Sequence, residues 1–272
     1  MPDRSGMPEP AALDRDAYLE RIGYSGNLAP TRATLDALHF AHATHIPFEN
    51  LDIHLGVPIR LDLPSLVAKL VHGRRGGYCF EQNRLFATAL QTLGFVVTTL
   101  AARIRFGTKD VLPRTHMTLR VDVDGGPLLA DVGFGAHGLL LPVPFGEGIE
   151  SRQYGWSYRI VSEPGGNVLQ SRCTKAWNDL YAFTLEPHTP ADYEMANHYT
   201  STHPESRFVQ VPIVQRIAPD VHRVLRNREY CEHRGDDVTC RTLSSDDELL
   251  DVLAEGFELR FPPGTRFRAR VA

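Results

Sequence analysis

The apolar periodicity of this chain changes at Gly94, and few folds can accommodate that change. Before Gly94 the apolar residues recur every three or four positions, the spacing of buried helix faces; after it they alternate, the spacing of half-buried strands. Asp14–Ile22 reads as a short charged helix ended by Gly23. Thr31 is placed to cap a second helix through about Thr44, with Leu35, Leu38 and Ala41 on one stripe and a stop before Pro47. A third opens at Asp62 with Pro64 in its first turn and runs to Gly73. The fourth, Cys79–Leu93, follows Arg74-Arg75-Gly76-Gly77 and puts Leu85, Phe86, Ala89 and Leu90 on one face.

Beyond Gly94, Phe95–Ala102, Met117–Val123 and Leu128–Val132 are short, alternating and rich in β-branched residues. Turn signals stand at Asp124-Gly125-Gly126 and Glu163-Pro164-Gly165-Gly166. Gln153–Val161 and a run from Val168 continue the pattern, so residues 95–190 predict an antiparallel sheet able to close into a barrel. The remainder is mixed. Val209–Ala218 reads as a strand, Ser244 as the cap of a helix to Glu255, and Phe257–Phe267 as an extended tail.

Composition narrows the function. A chain of 272 residues suits one large domain or two to three small ones sharing a core, and its net charge of −4 gives no bulk attraction to phosphate backbones or anionic lipid. No apolar run approaches the roughly 18 residues of a spanning helix, and the polar Met1–Asp16 does not read as a secretory signal. Four cysteines (Cys79, Cys173, Cys231 and Cys240) are too few for a disulfide scaffold, so free thiols and a cytoplasmic location are expected. Schiff-base chemistry has only Lys69, Lys109 and Lys175 to use, none in a promising motif.

Cys79 has a physical reason to be reactive. It follows two glycines and opens a predicted helix, where unpaired N–H groups favour a thiolate; the competing reading is an inert, buried core cysteine. A nucleophile needs a base, and the base an orienting group. A two-residue turn at Asp124-Gly125 pairs Val123 with Gly126 and, by extension, His116 with Gly133. Asp131 then faces the same side of the sheet as His116, one diagonal place away, unless a bulge shifts the register. An aspartate flanked by apolar residues in a strand is costly unless paired; it reads equally well as an edge carboxylate bound to backbone amides.

These residues carry a resemblance. Arg75-Gly76-Gly77-Tyr78-Cys79-Phe80-Glu81-Gln82-Asn83 resembles the cysteine signature of the arylamine N-acetyltransferases, and Ile46-Pro47-Phe48-Glu49-Asn50-Leu51 is similar to that family's upstream segment. Thr115-His116, Asp131-Val132-Gly133-Phe134-Gly135 and Tyr199–Phe208 resemble later motifs, in the family's order and spacing. The resemblance implies an α+β protein of bacterial type, with an N-terminal helical bundle (1–94), a central antiparallel β-barrel (95–205) and a C-terminal α/β lid (206–272) around a cysteine-protease-like triad. It implies acetyl transfer from the cosubstrate acetyl-CoA to arylamines, arylhydrazines or arylhydroxylamines by a ping-pong route. Cys79 is then the acyl acceptor, His116 its proton partner and Asp131 the orienting group. Phe48, Phe134 and Phe208 match pocket positions, and Thr115, Phe134 and Gly135 lie near CoA contacts.

Other readings stay open. An amide synthase releasing a polyketide chain shares the triad, a thiol hydrolase would lose its acyl group to water, and a non-catalytic binder of acyl-CoA or aromatic ligands would keep only the scaffold. His39, His42 and His45 recur on one helix, but their three-residue steps drift round it, so no metal is expected there. Cys231-Glu232-His233 with Cys240 matches no structural zinc spacing and reads as a loose, reduced surface segment. Arg75 is expected to pair with Glu81 or a nearby carboxylate and brace the helix of Cys79. Asp236-Asp237 and Asp246-Asp247-Glu248 read as solvated turn and helix-start charges. Oligomeric state is left open.

Overall fold

The structure, a computed structural model, describes residues 13–108, 110–146, 148–172, 176–235 and 237–268. Lys109, Cys173, Lys175 and Asp236 lie outside them.

Side-chain caps set where the first helices start. Asp14 accepts the Ala17 N–H to open α1 (Arg15–Arg21), and Thr31 accepts the Thr34 N–H to open α2 (Arg32–His45). Two short elements that periodicity does not mark follow, β1 (Phe48–Glu49) and α3 (Leu51–Leu55). Asp62 caps α4 (Leu63–Leu66), which widens into a π-helical stretch over Val67–His72 instead of continuing as an α-helix. There the Gly73 N–H reaches back to the Ala68 carbonyl. At α5 (Cys79–Thr92) the Glu81 carboxylate accepts the Tyr78 N–H at 3.0 Å. Leu35 and Leu38 of α2 and Phe86 and Leu90 of α5 share a buried core with Met117, Leu119 and Val121 of the sheet beyond.

Eight strands form that sheet: β2 (Val96–Ile104), β3 (His116–Val123), β4 (Gly126–Ala130), β5 (Val143–Pro144), β6 (Ser151–Gln153), β7 (Trp156–Glu163), β8 (Gly166–Arg172) and β9 (Asn178–Pro187). All pairings are antiparallel, in the order β5-β4-β3-β2-β9-β8-β7-β6. A side chain bridges the two ends. Gln153 accepts the Leu140 and Leu141 N–H groups at 3.0 and 2.9 Å and donates to the Leu141 carbonyl at 2.8 Å. The result is a nearly closed barrel packed with Leu100, Leu129, Ile160, Leu169 and Tyr181. The segment expected as one strand over Gln153–Val161 is a hairpin. Tyr154 and Gly155 both take positive φ (48° and 91°), as the tight turn between β6 and β7 requires.

The last third holds α6 (Pro190–Thr202), α7 (Arg207–Gln210), β10 (Ile213–Ile217), β11 (His222–Arg226), β12 (Glu229–Arg234), β13 (Asp237–Thr242) and α8 (Asp246–Phe257). The strand expected over Val209–Ala218 starts only at Ile213, because Val209 turns inward on α7. Ser245, not Ser244, caps α8, while Ser244 binds Glu248 through its N–H and its hydroxyl. Leu249, Val252, Leu253 and Phe257 of α8 pack together with Val214 and Leu225 of the sheet. A second correction concerns the thiols. Cys231 stands directly opposite Cys240 across β12 and β13, their Cα atoms 4.2 Å apart, and the two form a disulfide in place of the reduced, loose segment expected. Such pairing depends on strand register, which cysteine spacing does not reveal. This sheet runs β1-β10-β11-β12-β13, so its first strand comes from the helical part of the chain. No helix among the described residues is long and apolar enough to cross a membrane.

Two histidines of α2 are sealed in the core. His42 Nδ1 lies 2.8 Å from the Tyr18 hydroxyl, and His39 Nδ1 lies 3.1 Å from the Leu140 carbonyl oxygen. Burial pushes His39 down to about 4, and burial with the neighbouring His39 ring and the Arg21 charge pushes His42 down to about 3. Both rings are neutral in the fold but take up protons in the unfolded chain below about pH 6.5, so stability falls as pH drops from there toward 4. Denaturant unfolding of His42→Gln should show a shallower acid loss than the native chain; equal slopes would place the acid sensitivity elsewhere.

Candidate active site

The loop before α5 is forced close to its neighbours. A Cβ on Gly76 would lie 2.1 Å from the Pro47 carbonyl oxygen, so only glycine passes there. The Gly77 carbonyl accepts the Glu49 N–H, tying this loop to β1. Cys79 then emerges as the first residue of α5, 2% exposed, with Sγ 3.6 Å from the Thr115 carbonyl oxygen. It lines a cleft of about 610 Å³ together with His116, Phe48, Phe134 and Phe208.

His116 opens β3. The turn at Asp124-Gly125 does pair Val123 with Gly126, but the ladder ends at Leu119 and Ala130, before His116 could reach Gly133. Asp131 therefore leaves the sheet and turns toward His116, Nε2 to Oδ2 at 2.6 Å. The chain is drawn off the ladder by side chains from the helices. His39 Nε2 accepts the Asp131 N–H at 3.1 Å, and Asn83 Oδ1 accepts the Val132 N–H at 3.0 Å. Asn83 also donates to the Met117 carbonyl and to Asp131 Oδ1, at 2.7 and 2.9 Å. The Gly133 N–H closes back on Asp131 Oδ1 at 2.9 Å. Gly133 has no room for a side chain, since a Cβ there would lie 2.7 Å from Cys79 Cα.

With Nε2 committed to Asp131, Nδ1 is the ring nitrogen left for the sulfur. Tyr181 and Phe134 flank the ring at centroid distances of 4.8 and 5.4 Å and fix its plane. Burial disfavours a charge on His116, but Asp131 and the hydrogen bond to Cys79 outweigh it and hold the ring's pKa up to about 10. Burial likewise opposes the charge on Asp131; His116, Asn83 and the Gly133 amide overcome it and keep the carboxyl below its usual range. The carboxylate thus favours the protonated form of an imidazole that shares its cleft with the sulfur.

Beneath the loop lies an ion cluster. Arg75 binds Glu49 at 2.7 Å and Asp52 at 2.8 Å, while Lys69 binds Asp52 at 2.8 Å and Glu81 at 2.7 Å. Arg75 thus braces the loop as expected, though through Glu49 and Asp52; Glu81 is taken by Lys69. Three carboxylates face two cations, so the negative charges are not fully matched. Burial and the Glu49 charge push Glu81 up to about 7 against the pull of Lys69, and the three carboxylates hold Lys69 above its ordinary value despite its burial.

The other residues singled out in the sequence divide. Phe48 and Phe208 pack at 5.8 Å with their rings tilted by 45°, and Phe208 meets Tyr78 edge-on at 5.7 Å, giving the cleft an aromatic corner. Thr115 and Phe134 line the cleft. Gly135 is turned elsewhere, toward Gln215, whose Oε1 accepts the Ala136 N–H. His45 bonds the Ala41 carbonyl of its own helix. Among the described residues no cluster of three or more His, Cys, Asp or Glu could hold a metal ion.

A family model described as N-acetyltransferase matches residues 31–264. An arylamine N-acetyltransferase of Mycolicibacterium smegmatis is 38% identical over 269 residues, covering 96% of this chain and 98% of that one. The chain belongs to the arylamine N-acetyltransferase family. Its fold agrees with solved members. The Mycobacterium tuberculosis arylamine N-acetyltransferase superposes with a TM-score of 0.87 at 36% identity, covering 90% of this chain and 94% of that chain. The Mycobacterium marinum enzyme in complex with CoA gives 0.86 at 34% identity, covering 90% and 93%.

Two residues that shape this family member's site, Asn83 and His39, are given no such role by the sequence. Asn83 had a signal, since it lies four residues after Cys79 and so on the same helix face. His39 had none, because its partner lies 92 residues away. Asn83→Ala leaves Asp131 and Val132 short of partners and should slow acylation of Cys79 by p-nitrophenyl acetate at least tenfold, from a lost charge-assisted bond of roughly 1.5–3 kcal/mol. A burst rate equal to that of the native chain would remove Asn83 from the site. The His116 charge adds stability that is complete below about pH 6.5 and is lost as pH rises toward 10. The stability difference between the native chain and His116→Asn should therefore shrink from pH 6 to pH 10, as read from denaturant midpoints.

Proposed function

We propose that this protein transfers the acetyl group of acetyl-CoA to the nitrogen of arylamines, arylhydrazines or arylhydroxylamines, with Cys79, His116 and Asp131 as its catalytic residues. One observation carries the reading: a single ring, His116, is bonded to a buried carboxylate and lines the same cleft as a sulfur at a helix start, among phenylalanines. Family membership and the CoA complex of the Mycobacterium marinum relative support the donor.

The steps follow from the geometry. Cys79, as thiolate beside the His116 imidazolium, attacks the acetyl carbonyl; the C–S bond to CoA breaks, and the departing CoA thiolate takes the ring proton. One thioester replaces another, so the acyl group stays activated. The amine nitrogen then attacks the acetyl-cysteine, His116 takes its proton, and the thiolate of Cys79 leaves. Asp131 keeps Nε2 occupied, so Nδ1 always faces the sulfur. Anilines and hydrazines suit the second step because they are unprotonated at neutral pH, whereas an alkylamine of lysine type is charged. Phe48, Phe134 and Phe208 shed water from the acetyl-cysteine and offer faces for the aromatic acceptor. Thr115 and Phe134 border the path of CoA, with Gly135 shaping the turn behind them.

The division into 1–94, 95–205 and 206–272 follows these roles: one part brings the sulfur, the next the ring and the carboxylate, and the last covers the cleft. A cytoplasmic location suits a protein fed by acetyl-CoA. Intact-mass measurement tests the reading. Acetyl-CoA should add one acetyl group to the native chain, an arylhydrazine should discharge it, and Cys79→Ala should gain none. Absence of the adduct would defeat the proposal, and its rapid loss to water without amine would make the protein a thiol hydrolase.

A further inference from the structure

Besides the groups already described, the cleft wall carries Arg207 and Arg226. Arg207 opens α7 immediately before Phe208, whose ring packs against Phe48 and Tyr78. Arg226 ends β11, opposite Ile213 of β10. Elsewhere in the molecule Arg105, Arg172, Arg216 and Arg223 each hold a carboxylate. Among the described residues neither Arg207 nor Arg226 has an ion-pair or hydrogen-bond partner for its side chain. Burial and the charge of Arg226 push Arg207 below its ordinary value, and no carboxylate offsets them. Two acids share the wall, Glu205 and Glu229, and Glu229 even faces Arg226 across the β11–β12 ladder. Neither forms an ion pair with the two arginines.

Two exposed cations on one cleft wall, neither with a counter-ion, leave a positive spot that a bound anion neutralises. We infer that Arg207 and Arg226 seat the phosphate-bearing end of CoA, so that the uncharged pantetheine arm runs from them along the cleft to Cys79. The inference rests on the donor assigned above and adds the residues that select it. Guanidinium forks match phosphate oxygens in pairs, and a doubly charged diphosphate satisfies both at once. Such a seat is needed here because the chain as a whole carries a net charge of −4 and repels a polyanion. The apolar stretch of wall formed by Ile104, Leu112, Pro113 and Val224 suits the arm, which has no charge to place.

Calorimetric binding of CoA, 3′-dephospho-CoA and pantetheine to the native chain, Arg207→Gln, Arg226→Gln and the double variant tests this without requiring turnover. The native chain should bind CoA more tightly than pantetheine. That preference should fall about tenfold for each arginine removed, the scale of one charge-assisted bond to phosphate. It should also weaken with added salt in the native chain and lose most of its salt dependence in the double variant. If 3′-dephospho-CoA keeps the arginine-dependent preference, the diphosphate is the group held; if it loses it, the 3′-phosphate is. A CoA-over-pantetheine preference unchanged in both single variants and in the double variant overturns the inference, even if the chain is acetylated at Cys79. Arginine-dependent CoA binding without acetylation would uphold it and defeat the transfer reaction instead.

Discussion

A carboxylate sealed from water is costly unless several donors surround it, and Asp131, 1% exposed, organises this molecule around that requirement. Its donors come from separate stretches of chain: the His116 ring from β3, the Asn83 amide from α5 and the Gly133 N–H from its own turn. His39 on α2 holds the same residue by its backbone. Helices from before Gly94 and strands from after it must therefore dock in one arrangement for the charge to be satisfied. The same docking sets Cys79 against the ring, because Cys79 and Asn83 share a face of α5. Stability and chemistry depend here on one set of bonds.

Much of this is legible in the sequence of the chain. Thr31 caps α2 as expected, and the helix starts expected at Asp14 and Asp62 are set by side-chain caps at those residues, because a cap acts locally, within three residues. The turn at Asp124-Gly125 was equally local, and its register carried as far as Leu119 and Ala130. Part of what could not be read depends on distant partners. The ladder stops where His39 and Asn83 pull the backbone away, and neither pull leaves a mark in the strand's own residues. The hairpin at Tyr154-Gly155 was missed because a tyrosine at positive φ hides the turn. α6 lacks a strong apolar stripe, burying only Tyr193, Asn197 and Thr200, so periodicity passes over it. The Cys231–Cys240 bond follows from pairing across β12 and β13, which spacing alone cannot supply.

The ion cluster under the loop gives the nucleophile's setting a charge balance of its own. Arg75 and Lys69 bind Glu49, Asp52 and Glu81, and Glu81 in turn holds the Tyr78 N–H just ahead of Cys79. Removing one partner of such a set leaves the others buried and unmatched, which costs more than the bond itself. The cluster is better understood as fixing one conformation of the loop than as a store of binding energy.

A strand of two residues, β1, reaches far along the chain. Phe48 and Glu49 pair with Gln215 and Val214, so two residues of the helical part form the outer rung of the last sheet. The boundary drawn at residue 206 is thus crossed by backbone hydrogen bonds. Exchange of the C-terminal third between family members would have to carry the 48–49 rung with it or match it in shape. A junction at residue 206 alone would pair β10 with a foreign edge strand, so the two parts of the chain have to match at this rung.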